Sequence, residues 1–91
     1  MVTVFDVAKY ILEKQGEMTA MKLQKLVYYC QVWSIVWDDK PLFKETIFAN
    51  PNGACVKELY GLHKGMFKVN VDLVKDANVD NIETIQRKQL T

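Results

Sequence analysis

The stretch that most constrains the fold is KLQKLVYYCQVW, residues 22–33, in which only two lysines and two glutamines are plainly polar. It belongs to a segment from Thr19 to Trp37 that predicts a helix, with Thr19 as N-cap. One apolar stripe follows helical spacings of three and four residues: Leu23, Leu26, Cys30, Trp33 and Trp37. Much of the remaining circumference is apolar too: Tyr28, Tyr29, Val32, Ile35 and Val36. Such a helix belongs at the centre of a bundle or at an interface, and the sequence leaves both open.

The rest of the chain predicts shorter elements around this helix. Residues 3–15 predict a first helix, capped by Thr3 and ended by Gly16. Asp38-Asp39-Lys40-Pro41 breaks the central helix, because proline cannot continue it. Residues 45–49 predict a short extended segment, and Asn50-Pro51-Asn52-Gly53 predicts a turn.

The second half of the chain is less regular. Residues 54–64 predict a third helix that ends at Gly65. Residues 67–73 alternate apolar and polar side chains and predict a half-buried strand. Beyond Lys75 the pattern is weak, and Ile82 and Ile85 predict either a helical turn or a strand. The expected fold class is therefore mainly α (α+β): a small helical domain around a central apolar helix, with a short β segment or hairpin.

Length and charge narrow the functional classes. The 91 residues suffice for a single domain, and the net charge of +1 does not favour nucleic acid or an anionic membrane as partner. No run approaches the roughly 20 apolar residues that span a bilayer, and no basic segment precedes a continuous apolar core at the N-terminus. We therefore expect a cytoplasmic protein with no membrane contact.

Catalysis, metal binding and DNA binding each lack a clear residue set. Cys30, Cys55 and His63 are too few and too scattered for a zinc site, so no metal or cofactor is expected. Cys55 and His63 are eight positions apart on the predicted third helix, about 12 Å of rise, which is too far for a nucleophile–base pair. The first two helices resemble a helix-turn-helix, but the second lacks the polar, mostly basic side chains of a recognition helix. A DNA-binding regulator stays a minor alternative.

Three motifs together resemble one family. Residues 22–31, KLQKLVYYCQ, resemble the KLQKLLYYAQ signature of the Panacea antitoxin domain, also called the SocA-like or phage-associated GepA-like domain. Pro41-Leu42-Phe43 resembles its PLF motif. Residues 49–53 and 56–60 resemble its AW-x-x-GPV-x-x-LY segment, although Asn50 stands where the family usually has Trp and Ala54 where it usually has Pro. The resemblance covers about residues 4–69, and the family pattern usually continues beyond Thr91.

The resemblance implies a non-enzymatic protein-binding module, one domain over residues 1–91 and C-terminally short. It implies an antitoxin that neutralises a cognate toxin by direct contact, in one branch as an adaptor that presents the toxin to a protease. A phage-encoded inhibitor of a host defence protein, such as a CRISPR effector, is an alternative that changes only the partner. A short form leaves apolar surface uncovered, which favours a protein partner or a homodimer.

The residues expected to contact the partner lie on the second helix, in the turn and on the third helix. They are Tyr28, Tyr29, Asn52, Gly53, Lys57, Tyr60 and His63. Tyrosines supply a large rigid contact area with a polar tip. All seven are expected on the exposed half of the domain. Each residue also has a structural interpretation: Asn52-Gly53 forms the turn, Tyr60 fills the core, and His63 is a surface histidine whose hydrogen bonds are satisfied.

Overall fold

The structure, a computed structural model, describes residues 2–50 and 53–82. Its first helix, α1, spans Val4–Gln15 and confirms the prediction. The Thr3 hydroxyl accepts a hydrogen bond from the Asp6 amide at 3.3 Å, and the Asp6 carboxylate accepts one from the Thr3 amide at 3.0 Å. This reciprocal pair satisfies two amides that a helix N-terminus leaves without partners. Gly16 ends the helix with φ +81°.

The central helix, α2, spans Ala20–Asp38, with Thr19 as N-cap as predicted. The Thr19 hydroxyl accepts from the Lys22 amide at 3.2 Å. The side of α2 that faces the core, however, is not the predicted apolar stripe. The buried residues are Ala20, Leu23, Gln24, Val27, Gln31 and Ser34. Of the predicted stripe only Leu23 is fully buried, whereas Trp33 and Trp37 are exposed.

A β-hairpin follows the turn after α2. Strand β2, Ile47–Asn50, pairs antiparallel with β3, Gly53–Val56, so that Ile47 lies opposite Val56 and Asn50 opposite Gly53. The extended segment is thus confirmed. Pro51 and Asn52 of the predicted turn lie outside the described residues. Helix α3 spans Lys57–His63 and begins three residues later than predicted, because residues 54–56 pair with β2 and cannot also be helical.

The predicted strand over residues 67–73 is largely wrong. Only Lys68–Val69 is extended (β4), and it pairs with Met18–Thr19 (β1), which is itself two residues long. The chain then forms a 3-10 helix at Val71–Val74, where the Asn70 side chain accepts a hydrogen bond from the Asp72 amide at 3.0 Å. A second 3-10 helix spans Val79–Asn81.

The core lies between α1, the N-terminal half of α2, β3 and α3. Its fully buried side chains include Leu23, Val27, Val56 and Leu59. Leu42 and Phe43 of the PLF motif are buried beside them, and Ile82 contributes from the end of the described chain, while Ile85 lies outside it. The result is a mainly helical α+β domain with a small hairpin, which confirms the expected fold class. None of the described helices is long and apolar enough to cross a membrane.

Candidate functional site

Gln24 joins α2 to the hairpin through its side-chain amide. Its Oε1 accepts a hydrogen bond from the Val56 amide at 2.8 Å, and its Nε2 donates to the Val56 carbonyl at 3.3 Å. The neighbouring Lys57 amide donates to the Thr46 carbonyl at 2.9 Å, on the β2 side of the ladder. Because groups alternate along an antiparallel strand, the Val56 backbone faces the other way, toward α2. The glutamine amide therefore takes the place of another strand at the edge of β3.

The same amide also holds His63, at the end of α3. Gln24 Nε2 lies 2.8 Å from His63 Nε2, in a site where both side chains are buried. Since the Val56 backbone fixes which end of the Gln24 amide donates, His63 Nε2 must accept, and the ring proton lies on Nδ1. Burial lowers the pKa of His63 below its usual 6.5, partly offset by a hydrogen bond with its own backbone. His63 is therefore a neutral interior residue at pH 7.

Gln31, two turns after Gln24, makes an equivalent set of contacts with the PLF segment. Its Oε1 accepts from the amides of Leu42 and Phe43 at 2.8 and 3.2 Å, and its Nε2 donates to the Phe43 carbonyl at 3.0 Å. The Ser34 hydroxyl, on the same face of α2, donates to the Lys40 carbonyl at 2.9 Å. Polar residues on α2 thus fix the chain reversal after it, because buried backbone groups need partners.

The opposite side of α2 forms an uncovered apolar surface, which we call the outer α2 face. Val36 and Trp37 are 69% and 65% exposed, and Trp33 is 51% exposed. The indole rings of Trp33 and Trp37 stack, with centroids 5.7 Å apart. The complete face consists of Tyr29, Val32, Trp33, Ile35, Val36 and Trp37. Apolar surface of this extent on a small domain is typical of a protein-binding site.

A second apolar surface, the α3 surface, surrounds a shallow cavity of about 220 Å³ between the start of α2 and the end of α3. Tyr60, Met66 and Phe67 line it, and Phe67 is 76% exposed. The Tyr60 ring packs nearly perpendicular to the rings of Phe48 and His63, at centroid distances of 6.4 and 5.3 Å. Tyr60 is therefore a partly exposed aromatic ring held from two sides.

The structure places six of the seven expected contact residues, and it separates them. Tyr29 is on the outer α2 face, and Tyr28 beside it is half-buried. Lys57 and Tyr60 are exposed one turn apart on α3, and Gly53 is exposed at the start of β3. Asn52 lies outside the described residues. The expectation that His63 is on the exposed half of the domain is wrong, because its side chain is only 3% exposed.

Sequence reasoning missed two classes of residue at this site. Gln24 and Gln31 are simply polar positions in the sequence pattern, yet their seven-residue spacing on the same face as Leu23 and Val27 indicates two buried amides on one side of a helix. Met66 and Phe67 fall in a predicted loop and a predicted strand, and their sequence carries no signal that would reveal their exposure.

Metal binding and thiol chemistry each require particular side chains. The described residues contain no group of three or more His, Cys, Asp or Glu side chains placed to hold a metal ion. Cys55 is buried in β3, whereas Cys30 is partly buried on α2. Burial raises the pKa of the Cys30 thiol to about 11, so this sulfur is protonated and weakly nucleophilic at pH 7.

The glutamines that organise this arrangement both belong to the KLQKLVYYCQ segment, and the PLF segment that Gln31 binds is the second motif of the resemblance. The family model of the antitoxin SocA-like, Panacea domain matches residues 23–90. The chain belongs to this family. The match begins at Leu23 rather than near Val4, so α1 precedes it, and it continues past the motifs to residue 90. Neither the curated proteins nor the solved structures compared with the chain include a match.

Proposed function

We propose that this Panacea-domain protein is an antitoxin that neutralises a cognate toxin by direct protein–protein contact, without catalysis. Membership of the antitoxin family, over residues 23–90, is the observation that carries the proposal. Exposed large apolar side chains beside a buried core support it. The partner would bind in the compartment where the toxin acts, which we take to be the cytoplasm.

The α3 surface is the one we assign to the toxin. Tyr60 is held by Phe48 and by His63, and His63 is itself held by Gln24, so the tyrosine ring loses little freedom when a partner binds. Partly exposed, rigid tyrosines are enriched among residues that dominate binding energy. Lys57, one turn before Tyr60, adds a positive charge at the rim, which suits a partner with acidic side chains beside an apolar centre.

The alternative functions of this domain differ in the partner that it binds. A protease adaptor binds a toxin and a protease, and an inhibitor of a host defence protein binds an effector. A DNA-binding role gains no support from α2, since its outward side carries tyrosine, valine and tryptophan in place of basic side chains. Antitoxin action by contact is the function that the family membership favours.

The test expresses each gene adjacent to this one in its source genome, alone and together with the protein. We expect one neighbour to stop growth alone, to be tolerated in the presence of the protein, and to co-purify with it. Lys57→Glu should weaken both effects, because it replaces the rim charge with one that repels an acidic partner. Lys75→Glu, an equal charge change at an exposed position after the first 3-10 helix, is the matched control.

Two results would count against this proposal. If no neighbour is toxic and a host defence nuclease co-purifies instead, the inhibitor assignment replaces it. If a toxin is neutralised and bound equally well by Lys57→Glu and by Tyr60→Ala, the toxin contacts a different surface from the one assigned here.

A further inference from the structure

The outer α2 face is too large to be an ordinary exposed surface. An aromatic side chain presents about 150–250 Å² when fully accessible, so the exposed fractions of these six residues amount to on the order of 700 Å². The largest apolar patch on a typical monomer is roughly 300–600 Å². A stable protein–protein interface takes about 800 Å² from each partner. The face alone thus provides most of one side of such an interface.

We propose that a second copy of this chain covers the outer α2 face, with the two α2 helices antiparallel about a two-fold axis near Val32. This interface is separate from the α3 surface assigned to the toxin. In a two-fold dimer the same patch serves on both copies, so a self-complementary distribution of shape and charge is required. The charges of α2 have that distribution.

The charges of α2 are segregated at its two ends. Lys22 and Lys25 lie near the N-terminus, Asp38 and Asp39 lie at the C-terminus, and residues 26–37 contain no charged side chain. In α1, by contrast, Asp6 lies in the first turn, while the last turn contains both Glu13 and Lys14. Acidic residues are favourable at the start of a helix and basic residues at its end, because a helix N-terminus carries partial positive charge and a C-terminus partial negative charge.

Within one copy, therefore, the α2 charges oppose the dipole of their own helix. Antiparallel pairing reverses this disadvantage, since it places Lys22 and Lys25 of each copy beside the acidic C-terminal end of the other. Lys40, just past that end, removes part of the negative charge but leaves it net acidic, and Glu17, just before the start of α2, removes part of the positive charge but leaves that end net basic. Parallel pairing would instead put like charges together at both ends.

The spacing sets the level of the two-fold axis along α2. Lys25 and Asp39 are each seven positions, about 10 Å of rise, from Val32, so an axis at the level of Val32 brings the lysine end of each helix beside the acidic end of the other. The axis passes through the middle of the outer α2 face, on the side of Tyr29 and Val36, so that Trp33 and the Trp37 ring stacked on it lie at the contact. Apolar contacts occupy the centre and charged residues the rim, as in other stable interfaces.

The two tryptophans of the chain, Trp33 and Trp37, report directly on this face. We would measure tryptophan emission and sedimentation equilibrium together, on the full chain, from about 1 to 100 µM. The proposal predicts that the mass doubles with rising concentration and that the emission maximum shifts to shorter wavelength over the same range. Both changes are expected because two half-exposed indoles become buried together.

Four variants test whether the outer α2 face forms the dimer. Val36→Lys should raise the dimer dissociation constant more than tenfold, whereas Phe67→Lys, at an equally exposed apolar site on the α3 surface, should leave it unchanged. Lys25→Glu should weaken the dimer roughly three- to thirtyfold, since each charge pair occurs twice. Adding Asp39→Lys to Lys25→Glu should restore much of the loss.

Several results would overturn the proposal. One is a monomer throughout the concentration range. Another is a monomer with short-wavelength emission, which would show that another segment of the same chain covers the tryptophans. A third is a dimer that Val36→Lys does not weaken, which would place the interface elsewhere. Toxin neutralisation by a Val36→Lys monomer would leave the proposed function intact while the dimer is tested separately.

Discussion

Replacing Gln24 with methionine tests whether α2 holds the hairpin through a side-chain amide. Methionine has a similar volume but donates no hydrogen bond and accepts only weakly, so the change removes three contacts of 2.8–3.3 Å without a large cavity. Each such bond contributes about 1 kcal/mol net, and a buried group left without a partner costs about 1–3 kcal/mol. The amide and carbonyl of Val56 both lose their Gln24 partner. We expect the free energy of unfolding to fall by about 3–5 kcal/mol.

That loss is large for this domain. Natural domains have about 0.05–0.15 kcal/mol of stability per residue, which for 91 residues is roughly 5–14 kcal/mol in total. A loss of about 3 kcal/mol corresponds to a fall in Tm of about 12–24 °C. Urea unfolding followed by far-UV circular dichroism measures it, at one fixed protein concentration so that self-association does not alter the comparison.

The control is Gln15→Met, the same substitution at an exposed position at the end of α1 and outside both proposed interfaces. It should change the free energy of unfolding by less than about 0.5 kcal/mol. Gln31→Met, which removes the contacts to Leu42 and Phe43, should resemble Gln24→Met. If Gln24→Met costs less than about 1 kcal/mol, water or a backbone shift satisfies Val56, and the amide does not hold the hairpin in place.

Three further predictions concern single residues. Because the pKa of His63 is lowered in the folded state, protons bind the unfolded chain more tightly, so its contribution to stability is complete above pH 6.5 and is lost as the pH falls toward its folded pKa. Urea unfolding measured from pH 7.5 to 5 should show that the free energy of unfolding of the natural protein falls with pH, and that it falls less in His63→Gln. An equal pH dependence of the free energy of unfolding in the two proteins would contradict this. Because the pKa of Cys30 is about 11, a thiol reagent at pH 7.5 should label Cys30 far more slowly than an unfolded-chain cysteine, and equal rates would show that the thiol is accessible. Gly16→Ala should cost about 1 kcal/mol in urea unfolding, because φ at Gly16 is +81° while no atom lies within 4 Å of the added methyl group; no loss would mean that the helix end shifts.

The sequence predicted α1, α2 and the extended segment of β2 because their signals are local. A capping residue, helical spacing and a break at Pro41 determine where these elements begin and end. The side of α2 that faces the core was predicted wrongly for a physical reason. When nearly every position is apolar, hydrophobic spacing does not choose a face, and hydrogen bonds from Gln24 and Gln31 to distant backbone groups decide it.

The other incorrect sequence predictions also concern contacts between residues that are far apart in the sequence. Alternation over residues 67–73 predicts a strand, but the partner strand, Met18–Thr19, is two residues long, and the Asn70 side chain then starts a 3-10 helix. Of the candidate contacts, Lys57 and Tyr60 could be placed on one surface from helical spacing alone. The burial of His63 could not, since its partner Gln24 is 39 positions away.

Neutralisation by direct contact is best tested with purified components. The protein is titrated by isothermal calorimetry into the toxin that it neutralises in cells, and the activity of the toxin is followed in the same samples. We expect saturable binding with no added cofactor, loss of toxin activity in proportion to complex formed, and weaker binding by Lys57→Glu than by Lys75→Glu. If toxicity is relieved in cells while the purified proteins do not bind, direct contact is not the mechanism.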